Sequence, residues 1–409
     1  MNRVVITGMG VVSPLGNDVP TFWEKLKAGK CGIAPITKFD TADFKVKVAG
    51  EVRNFDPRLY MDRLDVLHSD ICTQFAMAAV CQAMEASKIA GTVSPERMGV
   101  YIGTGIGGIS TFMSEHKKLL EQGPKKVSPY FIPMMIANMA SGMAAIRFGC
   151  RGPALPAVSA CASGSNAIGE AFRLIRHGYA DAMIAGGAEA TVNPLAAAGF
   201  SNMQALSFSD DPNAASLPFD ARRRGFVMGE GAGMLILEEY GHAVKRGAEI
   251  FAEISGYGST CDAYHMTAPH PEAEGGARAI SDALRETGLD TDRIYYNAHG
   301  TGTPMNDRAE TLAVKKAFGE KLAEKILISS TKSMTGHMFG AAGAAEAVVS
   351  VLALREGTAP PTIGLTVPDP ECDLNYVPLK AQRADFDIAL SSSLGFGGHN
   401  ACLAFKRAE

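Results

Sequence analysis

Cys161 stands in PAVSACASGSNAIGEAF, where a short apolar run gives way to small residues and then to a helical pattern. A thiol at such a junction meets the helix N-terminal dipole and free backbone N–H groups, both of which favour the thiolate. Its neighbours Ala160, Ala162, Ser163 and Gly164 are small enough to leave the sulfur approachable and to let backbone amides close around a developing oxyanion. A lone cysteine in apolar company is commonly inert core, so this residue needs partners before it carries chemistry. His299, in NAHGTGTPMND, follows the run RIYY, and Lys332 with His337, in SSTKSMTGHMFGAAGAAEA, follows ILI. Each basic group thus stands at the carboxyl end of a strand-like segment, where α/β folds place their sites. Either histidine alone could cap its own turn. Jointly, a strand-end cysteine with two histidines and a lysine suits thioester chemistry: the thiolate accepts an acyl group while imidazoles donate hydrogen bonds or move protons.

Other patterns are weaker. Gly103-Thr-Gly105-Ile-Gly107-Gly108 fits GxGxxG between a strand and a helix, and Gly8-Met-Gly10 is a second glycine pair. Neither is followed, at the ~20-residue spacing a ribose contact needs, by a strand ending in Asp or Glu. Tight backbone packing is the better account of both. His265 and His270 share a Pro-rich loop at a spacing that suits no helix face, so no metal site is expected. The run ARRRG at 221–225 reads as solvated or ion-paired surface.

The elements that must position these residues alternate in the α/β manner. Strands are expected at RVVITG, MGVYIG, PAVSA, DAMIAGG, EISGYGS, RIYYNAHG and ILISS. Helices are expected near 20–28, 75–86, 110–122, 167–177, 277–287 and 307–318, with a Gly/Ala-rich one after ILISS. From about residue 250 the order repeats in outline, which suggests two similar halves, 1–250 with the cysteine and 251–409 with the histidines.

Composition narrows the function. The chain has 409 residues, 46% hydrophobic and 20% charged, so it can bury a large core. A net charge of -4 without a basic block disfavours nucleic acid as a partner. The long uncharged stretches 127–146 and 152–169 are interrupted by Pro129, Pro133, Asn138 and Gly142 or crowded with Gly and Ser, so no membrane insertion is expected. The eight cysteines, Cys31, Cys72, Cys81, Cys150, Cys161, Cys261, Cys372 and Cys402, form no CxxC pair. That usage suits a reducing cytoplasm, and the N-terminal run reads as a first strand instead of a signal peptide.

Taken with VVITGMGVVSPLGN, GTGIGG, GGAEA, PFDARRRGFVMGEGAG and LGFGGHNA, these motifs identify a resemblance, over essentially the whole chain, to the elongating β-ketoacyl-acyl-carrier-protein synthases of type II. The resemblance implies a thiolase fold, two α/β halves in a five-layered αβαβα arrangement, usually as a homodimer. It also implies that Cys161 takes the acyl chain from a carrier-protein thioester and that the amides of Cys161 and Phe396 form the oxyanion hole. His299 and His337 would stabilise the enolate left by malonyl decarboxylation, with Lys332 supporting the site in a pair with Glu346. Thr301 and Thr303 would touch the phosphopantetheine arm, Ile106 and Phe200 would border the acyl pocket, and Phe396 would gate it. No cofactor is implied.

The chain departs from the family pattern in places. Its carrier-docking stretches read MDRLDVLHSD and GFSNMQALS, with Arg63 the only full positive charge, and Leu394 and His399 replace the more usual Phe and Thr. The thinned basic patch keeps a second expectation open: a type II polyketide or polyene ketosynthase paired with a chain-length factor. A noncatalytic tunnel-shaping partner, a nicotinamide oxidoreductase and a degradative thiolase fit the Cys-His-His set less well.

Overall fold

The computed structural model describes residues 1–408. Its first half carries strands β1 (Val4–Val12), β2 (Met98–Gly103), β3 (Ala154–Ala157), β4 (Ala182–Glu189) and β5 (Gly231–Glu239). Helices α1 (Ile71–Ser87), α2 (Met139–Phe148) and α3 (Ser163–Arg176) accompany them. The second half repeats the inventory with β6 (Ala252–Cys261), β7 (Ile294–Asn297), β8 (Leu327–Ser329), β9 (Ile388–Gly395) and β10 (His399–Lys406). Its helices are α4 (Glu274–Thr287), α5 (Pro304–Phe318) and α6 (Ala342–Glu356).

Strand order is β3-β2-β4-β5-β1 in the first half and β8-β7-β9-β10-β6 in the second, the same permutation of equivalent strands. The pairings match too: β4 lies parallel to β2 and antiparallel to β5, as β9 lies parallel to β7 and antiparallel to β10. The halves join where β1 pairs with β6 through Val4↔Ile254, Val5↔Glu253 and Ile6↔Ala252.

Burial explains the layering. Every residue of β1 is buried, because α1 covers one face and the middle of the molecule covers the other. Helices α3 and α6 form that middle layer: α3 packs on β4, β2 and β10, while α6 packs on β5, β4, β9 and β7. With α1 and α2 outside one half's strands and α4 and α5 outside the other's, the order is αβαβα, the arrangement that the family resemblance implied. Helix α6 is buried from Ala342 to Leu354, as a helix apolar all round must be.

Helix α3 begins at Ser163, ahead of the start expected at Ala167. Its first turn, Ser163-Gly164-Ser165, is buried against the N-terminus of α6, a close approach that small residues permit and apolar periodicity cannot signal. Strands β5, β9 and β10 and helices α2 and Pro194–Asn202 went unread in the sequence.

Candidate active site

Cys161 is the middle residue of a 3-10 turn, Ala160–Ala162, that links β3 to α3. Ala160 holds a left-handed backbone, φ 50°, which turns the thiol toward a cavity between the halves. Two backbone N–H groups, its own and that of Phe396, point at its sulfur. Phe396 comes from the far half, just after β9. A Cβ on Gly395 would lie 2.7 Å from the Ser159 carbonyl oxygen and 3.2 Å from the amide nitrogens of Cys161 and Ala162, so only glycine lets the chains approach this closely.

His299 and His337 line the same cavity. His299 follows β7, and its backbone N–H is held by Glu310 Oε1 at 2.7 Å. His337 lies before α6, with its N–H on the Val227 carbonyl at 2.7 Å. The rings stand edge to face, centroids 5.2 Å apart, and both line the cavity. Burial, followed by the nearby Lys332 charge, pushes both imidazoles well below their ordinary range, and His337 adds to the effect on His299. Both are neutral donors at physiological pH. Lys332 Nζ lies 2.5 Å from Glu346 Oε1, and both side chains are buried behind the histidines.

The expected thiolate is corrected by the structure. Burial pushes the Cys161 thiol up to about 12, outweighing the opposing pull of Lys332 and the two amides, with Glu189 adding to the rise. Desolvation dominates because the sulfur is buried in an apolar recess, so the resting group is a thiol.

Two carboxylates at the site escaped sequence reasoning. Glu189, at the end of β4, accepts hydrogen bonds from Gly105 N at 2.7 Å, Gly340 N at 3.1 Å, Thr104 Oγ1 at 3.2 Å and Ile106 N at 3.4 Å. The GxGxxG loop therefore cradles an internal carboxylate, and a Cβ on Gly105 would meet Glu189 Oε2 at 2.6 Å. Glu310 grips the second half's equivalent loop through His299 N and Gly300 N, each at 2.7 Å. Burial raises both carboxyls to about 7. The signal available in sequence was an acidic residue inside apolar runs, GGAEA and DRAETLAV.

The cavity holds about 450 Å³ and is lined mainly by apolar groups. Ile106, Phe200, Phe339, Leu394 and Phe396 line it with Cys161, and Thr301 and Thr303, Oγ1 atoms 3.0 Å apart, line it as well. His265 and His270 instead cap their own turns: His265 Nδ1 accepts from Thr267 N and Ala268 N, and His270 Nδ1 from Glu272 N. In the ARRRG run, Arg222 pairs with Asp220 and Arg223 with Asp307 and Asp369, so the run is ion-paired as expected, although Arg223 is buried and not on the surface.

A cysteine under two amides, facing two neutral imidazoles between duplicated α/β halves, defines a condensing enzyme of the thiolase-like fold that works on thioesters. Residues 1–243 match the β-ketoacyl synthase N-terminal domain and residues 251–366 its C-terminal domain, and the chain belongs to the β-ketoacyl synthase family. It is 52% identical to 3-oxoacyl-[acyl-carrier-protein] synthase 2 of Synechocystis sp., over 99% of this chain and 98% of that one. Identity to the synthase 2 of Staphylococcus aureus is 50%, over 100% of this chain and 99% of that protein. Among solved structures, a β-ketoacyl synthase from Burkholderia phymatum superposes with TM-score 0.93 at 36% identity, each chain fully covered. The ishigamide ketosynthase/chain length factor superposes equally well, TM-score 0.93 at 35% identity, again over the whole of both chains.

Proposed function

We propose that this chain performs the decarboxylating Claisen condensation of fatty acid elongation, using acyl and malonyl groups borne on an acyl-carrier protein. The Cys161 sulfur attacks the acyl thioester carbonyl, the carbonyl oxygen takes up negative charge at the amides of Cys161 and Phe396, and the carrier thiol leaves with the cysteine proton. Malonyl-carrier protein then binds with its thioester oxygen at His299 and His337. Loss of CO2 breaks the C–C bond and leaves an enolate whose oxygen is met by two imidazole N–H donors. The enolate carbon attacks acyl-Cys161, forming the new C–C bond and expelling the cysteine thiolate, which takes a proton from solvent. Lys332, paired with Glu346, keeps the imidazoles neutral so that they donate without being titrated.

The observation that carries this reading is the convergence of two amides from opposite halves on one sulfur, facing paired neutral imidazoles. The relatives at 50–52% identity are named as synthase 2, which favours fatty acid elongation over the polyketide alternative. Purified protein given malonyl- and acyl-carrier proteins should yield the two-carbon-longer β-ketoacyl product and an acyl adduct on Cys161, both read by intact mass. An adduct without elongation would indicate a missing partner subunit.

The proposed partner protomer is a second copy. Among the described residues, strand β3 pairs with a single strand, β2, and it carries exposed Leu155, with Val158 exposed just beyond its end. A two-fold copy added at its unpaired edge would pair the backbone and cover these apolar side chains. The reading divides the chain near residue 250, where β5 and the helix Tyr240–Lys245 lead into β6. It places the protein in the cytoplasm, which suits eight cysteines that are all free thiols. Among the described residues, no helix is long and apolar enough to cross a membrane.

A further inference from the structure

The cavity has a single Lys or Arg on its lining among the described residues, Arg224. Its two neighbours are engaged: Arg222 with Asp220 at 2.8 Å, and Arg223 with Asp307 and Asp369. Arg224 is exposed, and among the described residues it makes no ion pair and gives one hydrogen bond, to the Arg223 carbonyl at 3.3 Å. Among the described residues the lining carries a single carboxylate, Asp262, which is occupied by Asn400 Nδ2 at 2.7 Å and His270 N at 3.1 Å.

The backbone fixes where this side chain is rooted. Gly225 N donates to the Gly302 carbonyl at 3.1 Å, and Phe226 N to the Ala205 carbonyl at 3.0 Å. Arg224 is thereby tied beside Gly302, between Thr301 and Thr303, while Cys161 and the histidines occupy the inner part of the same cavity. A substrate whose thioester lies at Cys161 and whose arm runs past the two threonines emerges beside Arg224. Resting on the condensation reading, we propose that Arg224 binds the phosphodiester at the outer end of the pantetheine arm. A planar, always-charged fork with free N–H donors matches two phosphate oxygens, and the apolar wall around it strengthens the contact.

With a saturating acyl-pantetheine thioester as the acyl donor that loads Cys161, steady-state condensation would be measured on malonyl-phosphopantetheine and malonyl-pantetheine, thioesters that differ only in the phosphate, and on malonyl-carrier protein. R224A should raise KM about tenfold for the two phosphate-bearing substrates, leave it unchanged for the pantetheine thioester, and leave kcat intact, with R224K recovering part of the loss. A KM that rises equally for both small thioesters would show a structural role and overturn the assignment. A rise for the carrier protein alone would mean that Arg224 meets a carboxylate of the carrier, which also overturns it. If the wild type makes no β-ketoacyl product from any thioester, the condensation reading itself fails and takes this one with it; turnover with R224A indistinguishable from wild type defeats the phosphate assignment alone.

Discussion

Ala160 and Phe339 stand at the same place in the two halves, each opening a 3-10 turn before a central helix, with φ 50° and 47°. The residues that follow them, Cys161 and Gly340, have diverged. At Gly340 a Cβ would lie 2.4 Å from Gly105 N, so that position is closed to any side chain and its N–H serves Glu189 instead. One copy of a duplicated turn thus presents the nucleophile, and the other braces the loop beside it.

Ala160→Val and Ala160→Gly test the turn. A β-branched residue is disfavoured at positive φ, so the valine variant should lose about 1–3 kcal/mol of stability and acylate Cys161 more slowly. Glycine accepts the conformation and should melt close to wild type. Thermal unfolding and timed intact-mass acylation read both effects, and equal melting of the two variants would remove the backbone argument.

The two half-reactions should separate by mutation. Cys161→Ala should abolish acyl transfer and condensation yet retain CO2 release from malonyl-carrier protein, because the imidazole donors remain. His299→Ala and His337→Ala should each slow CO2 release by about 10²–10³, the usual cost of one oxyanion donor. Labelled CO2 release, scored beside acylation, distinguishes the roles. A Cys161→Ala protein unable to decarboxylate would refute the division of labour.

Glu189 should leave a signature in the pH dependence of stability. Burial raises its carboxyl from 4.5 to about 7, so between those values the folded protein keeps a proton that the unfolded chain has lost. The contribution is fully present below 4.5 and is lost as pH rises to about 7, at up to ~1.4 kcal/mol per pH unit. Glu189→Gln removes this slope, so the stability gap between wild type and variant should narrow as pH rises across that window. The amide also presents an NH2 where backbone donors converge on the carboxylate, so the variant should be less stable and the Ile106 loop displaced. Denaturant titrations at several pH values check the slope; a gap independent of pH would exclude titration of Glu189 there.

Much of this architecture was legible in sequence because its signals are local. Apolar runs such as MGVYIG and DAMIAGG announced β2 and β4, and Cys161, His299 and His337 announced themselves by chemistry at strand ends. Glu189 and Glu310 stayed hidden because their purpose is long-range: each is a buried carboxyl group whose partners include backbone amides, and amides carry no letter in the sequence. The structural reading of the glycine loop held, but the carboxylate it packs on was not legible, since a nest of N–H groups looks alike whether it holds a phosphate or the protein's own carboxylate. The thiolate expected from the helix dipole failed because burial, which sequence position does not reveal, was the larger effect.

Lys332 links structure and reactivity, and its two roles can be separated. Alone, Lys332→Met leaves Glu346 buried without its counter-charge and should cost about 3–5 kcal/mol. The double variant Lys332→Met/Glu346→Leu removes both charges together and should recover most of that stability. In it the imidazoles lose the second-largest influence on their titration while keeping the largest, burial, so His299 and His337 should titrate higher than in wild type yet still below 6.5. Cys161 loses the positive charge that opposes its desolvation, so its thiol should become harder to ionise and acylation at neutral pH should slow, with about a tenfold loss whenever the thiol titrates one pH unit higher. Histidine ring titration by NMR and acylation rates across pH measure the two consequences independently. Unchanged imidazole titration in a folded double variant would confine Lys332 to a structural part, because a charge that tunes the site cannot be deleted without moving the groups it tunes.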